Sequence, residues 1–307
     1  MYLGIEIGGT KLQIAVGDGG GNLAGLWRGA VDVAAGADGI RNQIVAAVPE
    51  LLRQAGISQS LLRGIGIGFG GPVDDATRTV IKSHQIQGWD GFPLQEWISR
   101  LLGLPAILGN DADVAGLAEA LFGAGKGLSP VFYITIGSGI GGGFILNGEI
   151  YRGCGRGAAE IGHLLVDDPD QPDRKVPLEE AASGWTIDRR AQRLLALPHS
   201  ASAGITAEHV GQAAAKGDPI ARAILSDAID ALALAVRQVI TLLCPRRIVI
   251  GGGVSLLGEK MLFGPLRRRV ADIMFRPFAD CYEIVPAALG EAVVVQGALA
   301  LARQYLS

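Results

Sequence analysis

Cysteine is scarce in this chain: three of 307 residues, Cys154, Cys244 and Cys281. An odd and scattered count excludes a disulfide framework, and no CxxC pair exists for the usual zinc and redox motifs. Long apolar runs are missing too. No uncharged stretch reaches the roughly 18 residues of a membrane span. The opening residues, Met1-Tyr2-Leu3-Gly4-Ile5-Glu6, have neither the basic nor the apolar region of a signal peptide. A cytoplasmic protein with no membrane partner is the expectation. A basic field is also lacking. Net charge is −3, and the one dense basic run, Arg267-Arg268-Arg269, is too short to hold a polyanion; no nucleic-acid partner is expected. Proline numbers only 14, with no Gly-X-Y period, which excludes collagen.

What is abundant is glycine, 46 residues, about twice the usual level of ~7%. It must serve turns and close backbone approaches. Hydrophobic residues at 49% and charged residues at 19% exclude intrinsic disorder. At roughly 150 residues per domain, the length suggests two domains.

The chain opens as a β-meander. Apolar runs at Leu3–Ile7, Leu12–Val16 and Leu23–Trp27 are separated by glycine-rich turns. Helical spacing follows over Ile40–Arg53, then a buried strand Gly64–Phe69, a helix Leu94–Leu102, a strand Ala106–Leu108 and a helix Asp113–Phe122. The pattern restarts with a strand at Val131–Ile136 and an Asn147-Gly148 hairpin. Helices are expected over Leu178–Leu195, Ala207–Lys216 and Pro219–Leu243, the last stopped by Pro245, followed by a strand Arg247–Ile250 and a closing helix Glu291–Tyr305. Both halves begin with an apolar strand running straight into glycines, GIEIGGTK and ITIGSGIGGG. The pattern implies a duplicated α/β chain, and a cleft between halves is a natural ligand site.

Three glycine loops carry possible chemistry. In Gly8-Gly9-Thr10-Lys11, bare backbone N–H groups can face phosphate oxygens, Thr10 adds a hydroxyl and Lys11 a cation. Glu6 lies close enough to hold Mg²⁺ directly or through water. A plain hairpin turn explains the loop equally well. GxGxxG occurs at Gly137/Gly139/Gly142 and at Gly66/Gly68/Gly71, but neither copy opens a helix as a dinucleotide site requires. Gly251-Gly252-Gly253 follows a third buried strand and would let a flat adenine and ribose lie on the backbone, or would serve helix packing. Asn110-Asp111, at a strand end, reads either as a helix cap or as a base for a substrate hydroxyl. Glu160 and His163 would share one face of a helix, and Glu179 opens an apolar helix where it also favours the dipole. Trp89 reads as core. Scattered acids with Asn and His suit a polyhydroxyl ligand, whose hydroxyls need paired acceptors.

Together these segments resemble the ROK family of sugar kinases and sugar-responsive repressors, within the hexokinase, actin and heat-shock chaperone ATPase superfamily. The resemblance covers nearly the whole chain. GIEIGGTK is similar to the family's first phosphate loop, GFGGPVD to its PGPVD turn with Gly70 for Pro, and GND at 109–111 to its END. ITIGSGIGGGFILNGEIYRG is similar to the second phosphate loop, AAEIGH and the Glu-x-x-Ala-Ser-Gly stretch at 179–184 to the sugar elements, and IVIGGGVS to the adenosine element. The implied fold is α/β, a two-lobed duplicated ribonuclease-H-like (actin-like ATPase) fold with a cleft between lobes. A small lobe would span 1–108, completed by helix 291–307, and a large lobe 109–290.

The implied activity is ATP-dependent phosphorylation of a hexose or N-acetylhexosamine, with Asp111 as general base. Gly71, Asn110, Asp111, Glu160, His163 and Glu179 would bind the sugar. Gly8, Gly9, Thr10, Lys11, Gly137, Ser138, Gly139, Gly252 and Gly253 would bind ATP, with Glu6 on the Mg²⁺ side. The donor could equally be polyphosphate, and a homodimer is implied. Two departures stand out. The family's zinc-binding cysteines are absent from 164–178, LLVDDPDQPDRKVPL, so no zinc site is expected. Gln85 replaces the family's usual Asn before Gly88-Trp89. The rival reading is a non-catalytic sugar-sensing regulator; the family's repressors carry a preceding helix-turn-helix domain, whereas here the phosphate loop begins at residue 4. A further rival, an actin-like structural ATPase, leaves Glu160, His163 and Glu179 without a role.

Overall fold

A computed structural model describes residues 1–83, 85–194 and 206–307. The chain divides into two compact units. One is Met1–Gly127 with Gly143–Ala158 and Ala288–Ser307; the other is Leu128–Gly142 with Ala159–Ala287.

The meander read from the sequence forms as β1 (Tyr2–Ile7), β2 (Lys11–Gly17) and β3 (Leu23–Ala30). It joins β4 (Ile65–Phe69) and β7 (Ala106–Asn110) in a sheet of order β3-β2-β1-β4-β7; β5 (Val73–Asp74) and β6 (Thr79–Val80) form a separate small hairpin. β1 is antiparallel to β2, whereas β1, β4 and β7 run parallel. Central parallel strands are covered on both faces, and every residue of β1 and β4 is buried. Helix α1 (Gly36–Ala55) buries Ile40, Ile44, Val48 and Leu51, the expected helical spacing. Helices α2 (Leu94–Leu102) and α3 (Asp111–Leu121) complete this run. The C-terminal helix α9 (Val293–Leu306) packs on β1, β4 and α3. Part of the glycine excess serves that packing: a Cβ on Gly66 would stand 1.8 Å from the Ala298 carbonyl oxygen.

The second sheet, of order β10-β9-β8-β13-β14, repeats the plan. Its strands are β8 (Val131–Ile136), β9 (Ile140–Leu146), β10 (Glu149–Ile150), β13 (Arg247–Gly251) and β14 (Glu283–Pro286). β9 and β10 are antiparallel, and β8, β13 and β14 parallel. Asn147 and Gly148 turn with φ of 53° and 80°, as an Asn-Gly hairpin requires. Between these strands lie a hairpin of β11 (Leu165–Asp168) and β12 (Gln171–Pro177), then α4 (Leu178–Ala182), α5 (Gly184–Leu194), α6 (Ala207–Ala215) and α7 (Pro219–Leu243). Helix α8 (Gly264–Ile273) follows β13. The architecture is the duplicated ribonuclease-H-like plan of the actin-like ATPase fold.

Two differences from the sequence reading matter for the site. The single helix expected over Leu178–Leu195 is broken at Ser183, and Leu195 lies outside the described residues. Ser183 is extended, and the Gly184 N–H donates to the Gly137 carbonyl at 2.8 Å, so the break joins this helix pair to the glycine loop after β8. The hairpin β11–β12, β14 and α8 had no counterpart in the apolar periodicity.

Candidate active site

Both sheets present their glycine loops at the carboxyl ends of parallel strands, the edge where open α/β sheets hold ligands. In the first unit the register aligns Ile7 with Phe69 and Phe69 with Asn110. The next residues along, Gly8, Gly70 and Asp111, therefore share one row. The Gly70 N–H donates to the Ile7 carbonyl at 2.8 Å, a bond a proline could not make. A Cβ on Gly70 would lie 3.3 Å from Asp111 Oδ2 and 3.5 Å from the Gly8 Cα. The expected base thus stands beside the Gly8–Lys11 loop, with Gly70 between them.

Asn110 meets its helix-cap reading in full. Its Oδ1 accepts from the Ala112 and Asp113 N–H groups at 2.9 and 3.3 Å. Its Nδ2 donates to the Gly71 carbonyl at 3.0 Å, which ties the 70–72 turn to the start of α3. The Ala112 N–H also donates to Asp111 Oδ1 at 2.8 Å and orients that carboxylate.

The loop Gly8–Lys11 closes through Gly8 N–H donating to the Lys11 carbonyl at 3.0 Å. A Cβ on Gly9 would overlap Gln85 Oε1, so the Gln85 side chain lies directly on the loop. A narrow crevice here is lined by Gly8, Gly9, Gly70 and Ser83, with Trp89. Trp89 is fully buried and packs edge-on to Phe69 at 5.5 Å. A larger cavity of about 340 Å³, lined by Asp75, Leu108 and Arg152, includes none of the expected site residues.

Glu6 is 5% exposed. Burial raises its carboxyl above the usual carboxylate range, against the pull of Lys11. Its Oε1 pairs with Lys11 Nζ at 3.1 Å and its Oε2 accepts from Gln13 Nε2 at 3.0 Å. Both oxygens are engaged, and no group of three or more His, Cys, Asp or Glu suited to a metal occurs among the described residues. Mg²⁺ is an ion that keeps several waters and leans on substrate phosphates rather than on a protein-built cage.

In the second unit, Gly137 N–H donates to the Gly139 carbonyl at 3.0 Å, and Trp185 N–H to the Ser138 carbonyl at 3.4 Å. Gly252, after β13, has φ of 83°, and a Cβ there would stand 2.5 Å from the Ile136 carbonyl; only glycine fits. Gly253 has open space around its Cβ position. Glu160, His163 and Glu179 come together beside this loop. His163 Nδ1 is 3.9 Å from Glu179 Oε1. Glu179 Oε2 lies 3.1 Å from where a Cβ on Gly139 would be. Neighbouring atoms desolvate the Glu160 carboxyl and raise its pKa, His163 opposes this, and the charge of Glu179 adds to it. Glu160 is nonetheless exposed as a residue, and water on its open side moderates the effect. Ala159, immediately before it, has φ of 62°, a conformation costly for a non-glycine residue and concentrated at functional sites.

The expected residues thus gather in two sets: Gly8–Lys11, Gly71, Asn110 and Asp111 in one unit, and Gly137–Gly139, Glu160, His163, Glu179, Gly252 and Gly253 in the other. Sequence reasoning missed the contact of Gln85 with Gly9 and the role of Gly70 between Asp111 and the loop. The parallel register would have found the second.

The ROK family model matches residues 2–305. A glucokinase of Halalkalibacterium halodurans is 32% identical over 315 residues, covering 99% of this chain and 95% of that protein. A glucokinase of Thermotoga maritima is 30% identical, covering 98% and 97%. The crystal structure of a ROK family glucokinase from Streptomyces griseus in complex with glucose and AMPPNP is 33% identical, with a TM-score of 0.78, covering 99% of each chain.

Proposed function

The chain belongs to the ROK family, and from that premise we propose that this sugar kinase transfers the γ-phosphoryl group of ATP to a hydroxyl of a hexose or N-acetylhexosamine, with Asp111 as general base. The observation that carries the reading is the row formed by Gly8, Gly70 and Asp111 at the carboxyl ends of three parallel strands. A carboxylate there can take a hydroxyl proton while the loop beside it holds phosphate. Glucose is the first acceptor to test, because the named relatives at 30–32% identity are glucokinases.

The residues divide the work. Asp111 accepts the proton as the sugar oxygen attacks phosphorus in line. Asn110 holds Gly71 and starts the helix that carries Asp111. Glu160 and Glu179 accept hydroxyl hydrogens, and His163 beside Glu179 contributes a donor or acceptor according to its tautomer. The Gly8–Lys11 and Gly137–Gly139 loops hold phosphates, and Gly252 and Gly253 give the nucleoside a surface without side chains. Mg²⁺ would arrive with ATP and neutralise phosphate charge, with Glu6 reaching it at most through water. Catalysis then comes chiefly from positioning.

Replacing Asp111 by Asn tests the mechanism, since shape is kept and the proton acceptor is lost. The kcat should fall by about 10²- to 10⁴-fold, the usual worth of a positioned base. Sugar affinity, measured by calorimetry, should stay within a few-fold. Near-normal turnover would remove Asp111 as the base.

A further inference from the structure

His163 and Glu179 stand at the two ends of the β11–β12 hairpin. Val166 pairs with Val176 and Leu165 with Pro177. The Leu178 N–H donates to the Leu164 carbonyl at 2.8 Å, which carries the same register one step further. One more step sets His163 opposite Glu179, as their 3.9 Å approach shows. A slip of one residue would turn one strand's side chains to the other face and part the two groups. Little apolar surface pins that register. Only Val166 is buried in β11, and the ladder is irregular between Asp167 and Asp168.

Charge holds the tip. Asp170, in the turn, pairs with Arg190 Nε at 3.3 Å and Arg193 Nη2 at 2.6 Å. Arg190 Nη2 reaches Asp227 Oδ2 on α7 at 2.7 Å, and the Arg190 side chain is only 8% exposed. One guanidinium on α5 therefore bridges the hairpin tip and the long helix. Its Nη1 is buried without a partner among the described residues. That arrangement costs stability, and buried ion pairs in general add little to it. Geometry is the better explanation for keeping it.

We infer that Arg190 is a positioning residue for the sugar: by clamping Asp170 to Asp227 it holds the hairpin in the register that sets His163 opposite Glu179. The inference rests on the reading that those two residues contact the sugar. No cysteine lies in the hairpin, so no metal thiolate site shares the task.

The test is steady-state kinetics and thermal melting of the full chain with Arg190→Met, Arg190→Lys and Asp170→Asn. Arg190→Met keeps bulk and removes both ion pairs; sugar KM should rise about tenfold or more, with ATP KM and kcat at saturating sugar within about twofold. Arg190→Lys should fall between, because an ammonium cannot fork to two carboxylates. Asp170→Asn leaves the Arg190–Asp227 pair intact and should raise sugar KM with little change in melting temperature. It decides the matter alone if Arg190→Met does not fold. Unchanged sugar KM in these variants, or sugar and ATP KM rising together with a lowered melting temperature, would overturn the inference. Glu179→Gln in the same series separates the two readings. Unchanged sugar affinity there sinks the sugar contact itself; a loss there without any in the Arg190 and Asp170 variants sinks only the clamp.

Discussion

Glu160 and Glu179 differ in what surrounds them, and the difference shapes what their loss should do. Each is proposed to accept a sugar hydroxyl hydrogen, so Glu160→Gln or Glu179→Gln should weaken sugar affinity by roughly 1–3 kcal/mol, about 5- to 150-fold. Titrating sugar against each variant, beside a melt of the same sample, checks this. If Glu179 only favours the dipole of its short helix, the melt would shift by about 0.3–1 kcal/mol of stability and sugar affinity would hold. Glu160→Gln should leave nucleotide affinity unchanged. Glu179 lies against Gly139, so its variant can disturb the Gly137–Gly139 loop as well. The residue types were legible in the sequence, because carboxylates and a His beside glycine turns are unusual enough to notice. Their double duties were not. Asn110 is both cap and tether, and nothing in its spacing tells which groups it binds. Arg190 reads as one more charge on an amphipathic helix; only the fold reveals that it is buried between two aspartates.

Two elements punctuated by glycine or proline were read to the residue: α2 ends at Gly103 in a left-handed cap, and α7 starts at Pro219 behind the capping Asp218; α1, read as Ile40–Arg53, runs from Gly36 to Ala55 before its Gly56 cap. Elements held by charge escaped. The β11–β12 hairpin is dense in Asp and Pro and buries few side chains, and α8 buries only Leu266 and Val270 in ten residues. The break at Ser183 escaped because a helix interrupted for a tertiary hydrogen bond keeps its apolar pattern. Helix α5 carries a further consequence. Desolvation pushes the Asp188 carboxyl up to about 6, against a hydrogen bond from Ala207 and the charge of His209. Its Oδ1 is buried without a partner among the described residues. Between the unfolded value near 4 and the folded value the native state holds more protons, so this group's contribution to stability falls as pH rises through about 6. Asp188→Asn should therefore gain on the wild type as pH rises from 4 to 6 and hold that lead above. After discounting for partial exposure the gain is on the order of 1 kcal/mol, roughly 2–4 °C in melting temperature. Melts across that range showing a constant difference would exclude the burial of a charged Asp188 as the cause.

At the scale of the whole molecule the duplication was legible before any coordinates, because a strand that ends in glycines recurs in each half. The reason is physical. In both copies glycines follow the carboxyl end of a central strand; on the proposed reading backbone N–H groups there face phosphate, and side chains would fill the space a ligand needs. What the pattern could not carry is which of the family's two occupations this chain follows, phosphorylation or sugar-dependent regulation. The glucokinase relatives, matched over nearly the full chain, favour phosphorylation. The chain has 27 basic and 30 acidic side chains and a net charge of −3; displacement of counterions by basic side chains is the main source of sequence-independent affinity for duplex DNA, so DNA retention is the property to measure beside turnover. On the proposed mechanism a kinase needs a carboxylate placed to take the sugar's hydroxyl proton, and Asp111 is the group put forward for it. The expected outcome is ATP consumption in a coupled assay with glucose or another member of a panel of hexoses and acetylated hexosamines. The same preparation should show no retention of duplex DNA even at about 50 mM salt, where such binding is strongest. Absence of turnover on every sugar, with salt-sensitive DNA retention that responds to one of them, would move the chain from the kinases to the regulators and leave Asp111 as a helix-end carboxylate without a proton to accept.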